Sequence, residues 1–73
     1  MESYFEFNVS LNGRHYFATA PLSFPSCQRD KAIQFYRELC RLFPEAEGFN
    51  VSVTRWECVG HPETLAFIKE GRK

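Results

Sequence analysis

The run Cys58-Val59-Gly60-His61 is the first place in this chain where residue types and spacing could do chemistry. A C-x-x-H spacing lets a turn bring a thiolate and an imidazole together, which supplies half of a tetrahedral zinc site. The other half would have to come from Cys27, Cys40 and His15, the only remaining Cys and His residues. None of them recurs at ligand spacing, and no second C-x-x-C or H-x-x-x-H exists. A buried neutral thiol and a helix-capping His61 are the simpler reading. The same pair would make an activated nucleophile only with a third group to orient the imidazole. No cysteine-hydrolase signature supplies one.

Other catalytic patterns are missing. The sequence has no G-x-x-x-x-G-K-[ST] loop, no G-x-G-x-x-G turn and no G-x-S-x-G elbow. A ligand pocket of a few hundred Å³ is hard to fit inside 73 residues without dismantling the core. The expectation is a protein without catalytic residues, metal, cofactor or small-molecule substrate.

Aromatic side chains are the alternative source of function. Eight Phe, three Tyr and one Trp make up 16% of the chain. Strand alternation puts Tyr4, Phe17 and Trp56 on one sheet face, with His15, Glu6, Asn8, Asn50, Ser52 and Thr54 around them. One helix can cover only one face of a sheet. Rings on the other face serve either as contact anchors for a macromolecule or as a platform for stacked bases. They can also simply cover each other. Arg37 and Arg41, one helical turn apart, could meet phosphate or an acidic partner, although a solvated face is the simpler reading.

Charge favours the protein partner. Nine Lys and Arg balance nine Asp and Glu. Nucleic-acid binders and polybasic membrane anchors usually carry a basic excess. No apolar run approaches the roughly 20 residues that span a bilayer. Met1 to Glu6 has neither the basic nor the apolar region of a signal peptide. Cys27 and Cys40 lie 13 residues apart on one predicted helix, about 20 Å along its axis and beyond disulfide reach. Three reduced thiols in a cytoplasmic protein are expected. The sequons at Asn8 and Asn50 are read as accidents within strands.

The elements that must position these residues are legible from periodicity. Residues 4–11 alternate, with Phe5, Phe7, Val9 and Leu11 on one face and Tyr4, Glu6, Asn8 and Ser10 on the other. Asn12-Gly13 is the strongest short hairpin signal. A two-residue turn pairs Leu11 with Arg14, Val9 with Tyr16 and Phe7 with Ala18. Tyr16, Ala18 and Ala20 then face the core, and His15, Phe17 and Thr19 face outward. A three-residue loop with a bulge would instead reverse the return strand and bury Phe17.

Pro21 to Pro25 breaks the strand pattern, and Ser26, with Ser23 as rival, suits a helix N-cap. A helix is predicted from Cys27 to Phe43, ending before Pro44. Ala32, Tyr36, Leu39 and Phe43 centre its apolar side, flanked by Ile33 and Cys40 on one edge and Phe35 and Leu42 on the other. That arc is about 180° wide, against about 100° for an ordinary surface helix. One flank must therefore meet something besides the sheet.

A third strand runs from Phe49 to about Val59, with Phe49, Val51 and Val53 inward, and Gly60-His61-Pro62 ends it. Pro62 then opens a short helix to about Lys69, with Leu65 and Ile68 as its buried pair and Phe67 as a third contact. The tetrapeptide Phe-Asn-Val-Ser occurs at 7–10 and again at 49–52.

Residues 1–73 are thus expected to form one α+β domain of order ββαβα. Three antiparallel strands in order 2-1-3 carry one long helix on one face, with a short C-terminal helix beside it. At least one sheet edge stays open, and open edges invite partners. The expected function is a small non-enzymatic interaction protein of accessory or inhibitor type. It would bind a protein partner, or its own copy as a homodimer, through Tyr4, Phe17 and Trp56, with Arg14 and His15 at the hairpin tip. A single-stranded nucleic-acid binder using the same rings is the alternative.

Overall fold

The computed structural model describes residues 3–57 and 59–71. Strand β1 (Tyr4–Leu11) lies between β2 (Arg14–Ala18) and β4 (Phe49–Trp56). Strand β3 (Phe24–Pro25) pairs with the start of β1, beyond the end of β2, and β5 (Gly60–Pro62) pairs with the end of β4. The sheet is antiparallel throughout, with five strands where three were expected. Helices α1 (Arg29–Leu42) and α2 (Thr64–Gly71) both lie on one face. The molecule measures 37 × 29 × 17 Å. A thickness of 17 Å admits two layers, so among the described residues no element covers the second face of the sheet.

The core follows from the alternation of β1 and β4. Phe5, Phe7, Val9, Val51 and Val53 are buried, and Ala32, Tyr36 and Leu39 meet them from α1. Burial of α2 centres on Phe67, which packs edge-on against Phe5, Phe7 and Tyr36. This corrects the expected pair: Leu65 is 79% exposed and Ile68 only half-buried. The helix begins at Thr64, two residues later than expected, because Pro62 is a strand residue, and the later start turns Phe67 inward. Pro62 sits on an edge strand, where its missing N–H is tolerated.

The wide apolar arc of α1 finds cover on both sides. Tyr36 meets Phe67 of α2, while Phe35 stacks on Phe24 of β3 with centroids 4.5 Å apart. Cys40 and Leu42 end up exposed. The helix closes with the Phe43 N–H donating to the Leu39 carbonyl, at 2.8 Å, just before Pro44. Its start differs from expectation. A 3-10 turn, Ser26–Gln28, precedes it, and no side chain caps it. Ser26 instead ties to Ser3, hydroxyl to hydroxyl and through its N–H to the Ser3 carbonyl.

The hairpin turn is the expected two-residue one, with Asn12 at φ 52° and Gly13 at φ 84° and Leu11 opposite Arg14. Beyond His15 the register shifts: Ser10 faces His15, but Val9 faces Phe17 and Asn8 faces Ala18. Tyr16 is the extra residue of a β-bulge. Phe17 therefore turns to the core face, and Ala18 to the outer one. The outward placement of Phe17 and the inward placement of Ala18 from simple alternation are corrected by this one residue; Tyr16 keeps its expected side, and Ala20 lies exposed past the end of β2.

Candidate interaction surfaces

The uncovered outer face carries Tyr4, Glu6, Asn8 and Ser10 from β1 and Asn50, Ser52, Thr54 and Trp56 from β4. Tyr4 and Trp56 are direct cross-strand partners. The Trp56 indole N–H donates to Glu6 Oε1 at 3.1 Å, and Asn8 Nδ2 donates to the same oxygen at 3.1 Å. The far side of the indole lies against Gly60, where a Cβ would come within 3.0 Å of the ring. Both aromatic residues are half-buried. Of the expected anchors, then, Tyr4 and Trp56 come together. Phe17 lies on the opposite face. Arg14 and His15 are exposed at the hairpin, with His15 opposite Ser10. Ser10 is six residues along β1 from Tyr4, about 20 Å at strand rise.

A second aromatic group forms on the helix-covered side, at the hairpin end. Tyr16 packs edge-on against Phe17, Phe43 and Phe49 with centroids 5.7–5.9 Å apart, and it remains 56% exposed. Phe43 and Phe49 continue from this cluster into a groove of about 560 Å³ between α1 and α2. Tyr36 and Cys40 of α1, Val51 of β4 and Ile68 of α2 also line it, and exposed Arg37 and Glu45 supply its charges. Burial pushes the Tyr36 phenol up to about 12, helped by its hydrogen bond with Cys40.

The groove exists because α2 is short and heads away from it. The helix starts level with Val53, where Thr64 Oγ1 accepts the Val53 N–H at 2.9 Å. It ends with Glu70 against Arg29, at the start of α1. Helix α2 covers the Phe5–Phe7 half of the sheet and leaves the groove open beside Phe49 and the buried Val51.

The same half of β4 has an unpaired backbone edge. In an antiparallel ladder, inward and outward peptide groups alternate. Phe7 spends its N–H and C=O on Thr19, and its partner Val53 spends its own on Glu63 and Thr64. By that parity the groups of Phe49, Val51, Val53 and Arg55 point away from β1. Strand β5 covers Arg55, and Thr64 covers Val53. Among the described residues, no backbone partner reaches the outward groups of Phe49 and Val51.

The opposite end of the molecule is knitted by charge. Arg29 spans both carboxylate oxygens of Glu70, with Nε 3.1 and 3.0 Å away, and reaches Glu63 at 3.6 Å. Its guanidinium lies over the rings of Phe67 and Phe5, 4.9 and 5.5 Å from their centroids. The hydrogen bond to Glu70 raises the Arg29 pKa and holds the Glu70 carboxyl below its usual range. Glu63 also meets Arg55 at 3.4 Å, and Arg55 pairs with Glu57. His61 lies 3.9 Å from Glu57. Cys58, the other half of the C-x-x-H pair, lies outside the described residues. Among the described residues, no group of three or more Cys, His, Asp and Glu could hold a metal ion, and no helix is long and apolar enough to cross a membrane.

Compared with family models, with curated proteins and with solved structures, the chain has no significant match.

Alternation alone brought Tyr4 and Trp56 together in the sequence. Tyr16 stands on its expected side, and its cluster with Phe43 and Phe49 was missed because it joins residues far apart in sequence and leaves Tyr16 more than half exposed. The groove was missed because it depends on where α2 starts, two residues past Pro62.

Proposed function

We propose that this chain is a small non-enzymatic interaction protein that binds another protein, or its own copy, through its open flank. The flank comprises Tyr16, Phe43, Phe49 and the groove beside the free edge of β4. The observation that carries this reading is the placement of Tyr16. An aromatic ring more than half exposed is braced on three other rings, next to an apolar groove. Rigid aromatic anchors beside a pocket are what protein contacts exploit. An antiparallel sheet face that is polar, like the outer one here, is stable in water and needs no partner.

The test is photo-crosslinking in cell extract, with a benzophenone amino acid placed at Tyr16 or, on the outer face, at Asn8. A discrete protein adduct from position 16 and none from position 8 is expected. An adduct from position 8 alone would move the contact to the Tyr4–Trp56 face. No protein adduct from either position would overturn the interaction reading.

A further inference from the structure

We infer that the free edge of β4 pairs antiparallel with the same edge of a second copy, joining two sheets into one across a two-fold axis at Asn50. The inference rests on the open flank being the contact surface, and it names the occupant.

The edge dictates an extended partner. The outward N–H and C=O groups of Phe49 and Val51 form a short free ladder, bounded on one side by Thr64 at Val53. A strand laid along it satisfies these groups. A second copy fits without remainder. With Phe49 opposite Val51 of its twin, both residues exchange both bonds, and Val53 keeps its own partners. Asn50 then faces Asn50 of the twin on the outer side. On the inner side, Phe49 and Val51 of each copy extend over the groove of the other.

The chain already pairs this tetrapeptide with itself once, centred on Val9 and Val51, whereas the two-fold pairing is centred on Asn50 and sets Phe49 against Val51. Phe7-Asn8-Val9-Ser10 of β1 and Phe49-Asn50-Val51-Ser52 of β4 are the same tetrapeptide, and they pair antiparallel within the molecule, Val9 opposite Val51 and Asn opposite Ser on either side. On the free side of β4, that sequence would meet itself once more. Charge raises no obstacle. The chain is formally neutral, no charged side chain lies on Phe49 to Thr54, and the groove carries one cation and one anion, Arg37 and Glu45. A two-fold pairing of like surfaces closes on itself as a dimer, with β2 of each copy at the outer rims of the joined sheet.

Sedimentation equilibrium from micromolar to millimolar concentration reads the result. The expected mass rises to twice 8.6 kDa. Asn50 is exposed, so its substitution leaves the core alone. Asn50→Asp and Asn50→Lys each place like charges on the axis, and each is expected to remain monomeric, with its circular dichroism unchanged. Mixing the two variants is expected to restore the doubled mass. A wild type that stays monomeric throughout overturns the inference, as does a dimer that both variants retain. If the wild type is monomeric while position 16 still crosslinks to a protein of different mass, the flank binds a foreign partner. Only the self-pairing then fails.

Discussion

Thr19 and Thr64 occupy equivalent positions on opposite sides of the Phe7–Val53 pair at the centre of the sheet. The Thr19 hydroxyl accepts the Phe7 N–H at 3.0 Å, and the Thr64 hydroxyl accepts the Val53 N–H at 2.9 Å. Each stands where the neighbouring strand has just ended, β2 at Ala18 and β5 at Pro62. Thr19→Val and Thr64→Val keep the shape and remove the acceptor. Each is expected to destabilise the fold by about 1–2 kcal/mol, since a backbone donor loses its partner. Urea denaturation measures the loss. Amide exchange should speed up at Phe7 in the first variant and at Val53 in the second.

Tyr36 sets an alkaline limit. Its folded pKa, pushed up to about 12 by burial and then by Cys40, exceeds the ordinary 10.0 of an unfolded tyrosine. The neutral phenol is the form that the fold prefers, so its contribution is complete below pH 10. It falls as pH rises from about 10 to about 12, while the unfolded chain ionises first. Thermal melts across that range should show the decline. In Tyr36→Phe, the part of the decline belonging to this residue disappears.

Arg29 joins α1 to α2 with a planar fork over two rings, a role that a lysine cannot reproduce. Arg29→Lys keeps the charge and is expected to cost about 1 kcal/mol through the lost fork and ring contact. Glu70→Gln should remove part of that effect beforehand, so the double variant should be less destabilised than the sum of the singles. A double-mutant cycle in urea checks the coupling. Full additivity would show that Arg29 acts through the rings alone.

The Trp56 indole on the outer face reports on nucleic acid. The Glu6 carboxylate bonded to it opposes phosphate, so short single-stranded DNA or RNA at low salt is expected to leave Trp56 emission unchanged. Glu6→Gln should alter that emission without any ligand. Quenching by oligonucleotide that reverses with added salt would favour a base-stacking role for Tyr4 and Trp56 instead.

Where one physical rule acted alone, the fold was readable in advance. Phe5, Phe7, Val9, Val51 and Val53 alternate against polar neighbours, Asn12-Gly13 can make only a tight hairpin, and Ala32, Tyr36 and Leu39 follow the helical period. Competing rules made the rest illegible. Tyr16 and Phe17 are adjacent aromatics that simple alternation sets on opposite faces, and the bulge brings both to the helix-covered side. Pro62 suits both a helix start and an edge strand, and β5 took it. Phe24-Pro25 reads as a chain break, yet pairs with Tyr4 and Phe5 and covers Phe35. Of the surfaces, the Tyr4–Trp56 pair needed only alternation. The free flank of β4 depended on the direction of α2, which no local pattern encodes.

The exchange rates of the β4 amides test the open flank most directly. In dilute solution the amides of Phe49 and Val51 are expected to exchange fast, while those of Asn50, Ser52 and Thr54, bonded to β1, and of Val53, bonded to Thr64, exchange slowly. At high protein concentration, Phe49 and Val51 should become protected as the edge finds its partner. Protection of both amides already present in the dilute monomer would mean that the chain covers its own edge, and the open flank would have to be abandoned.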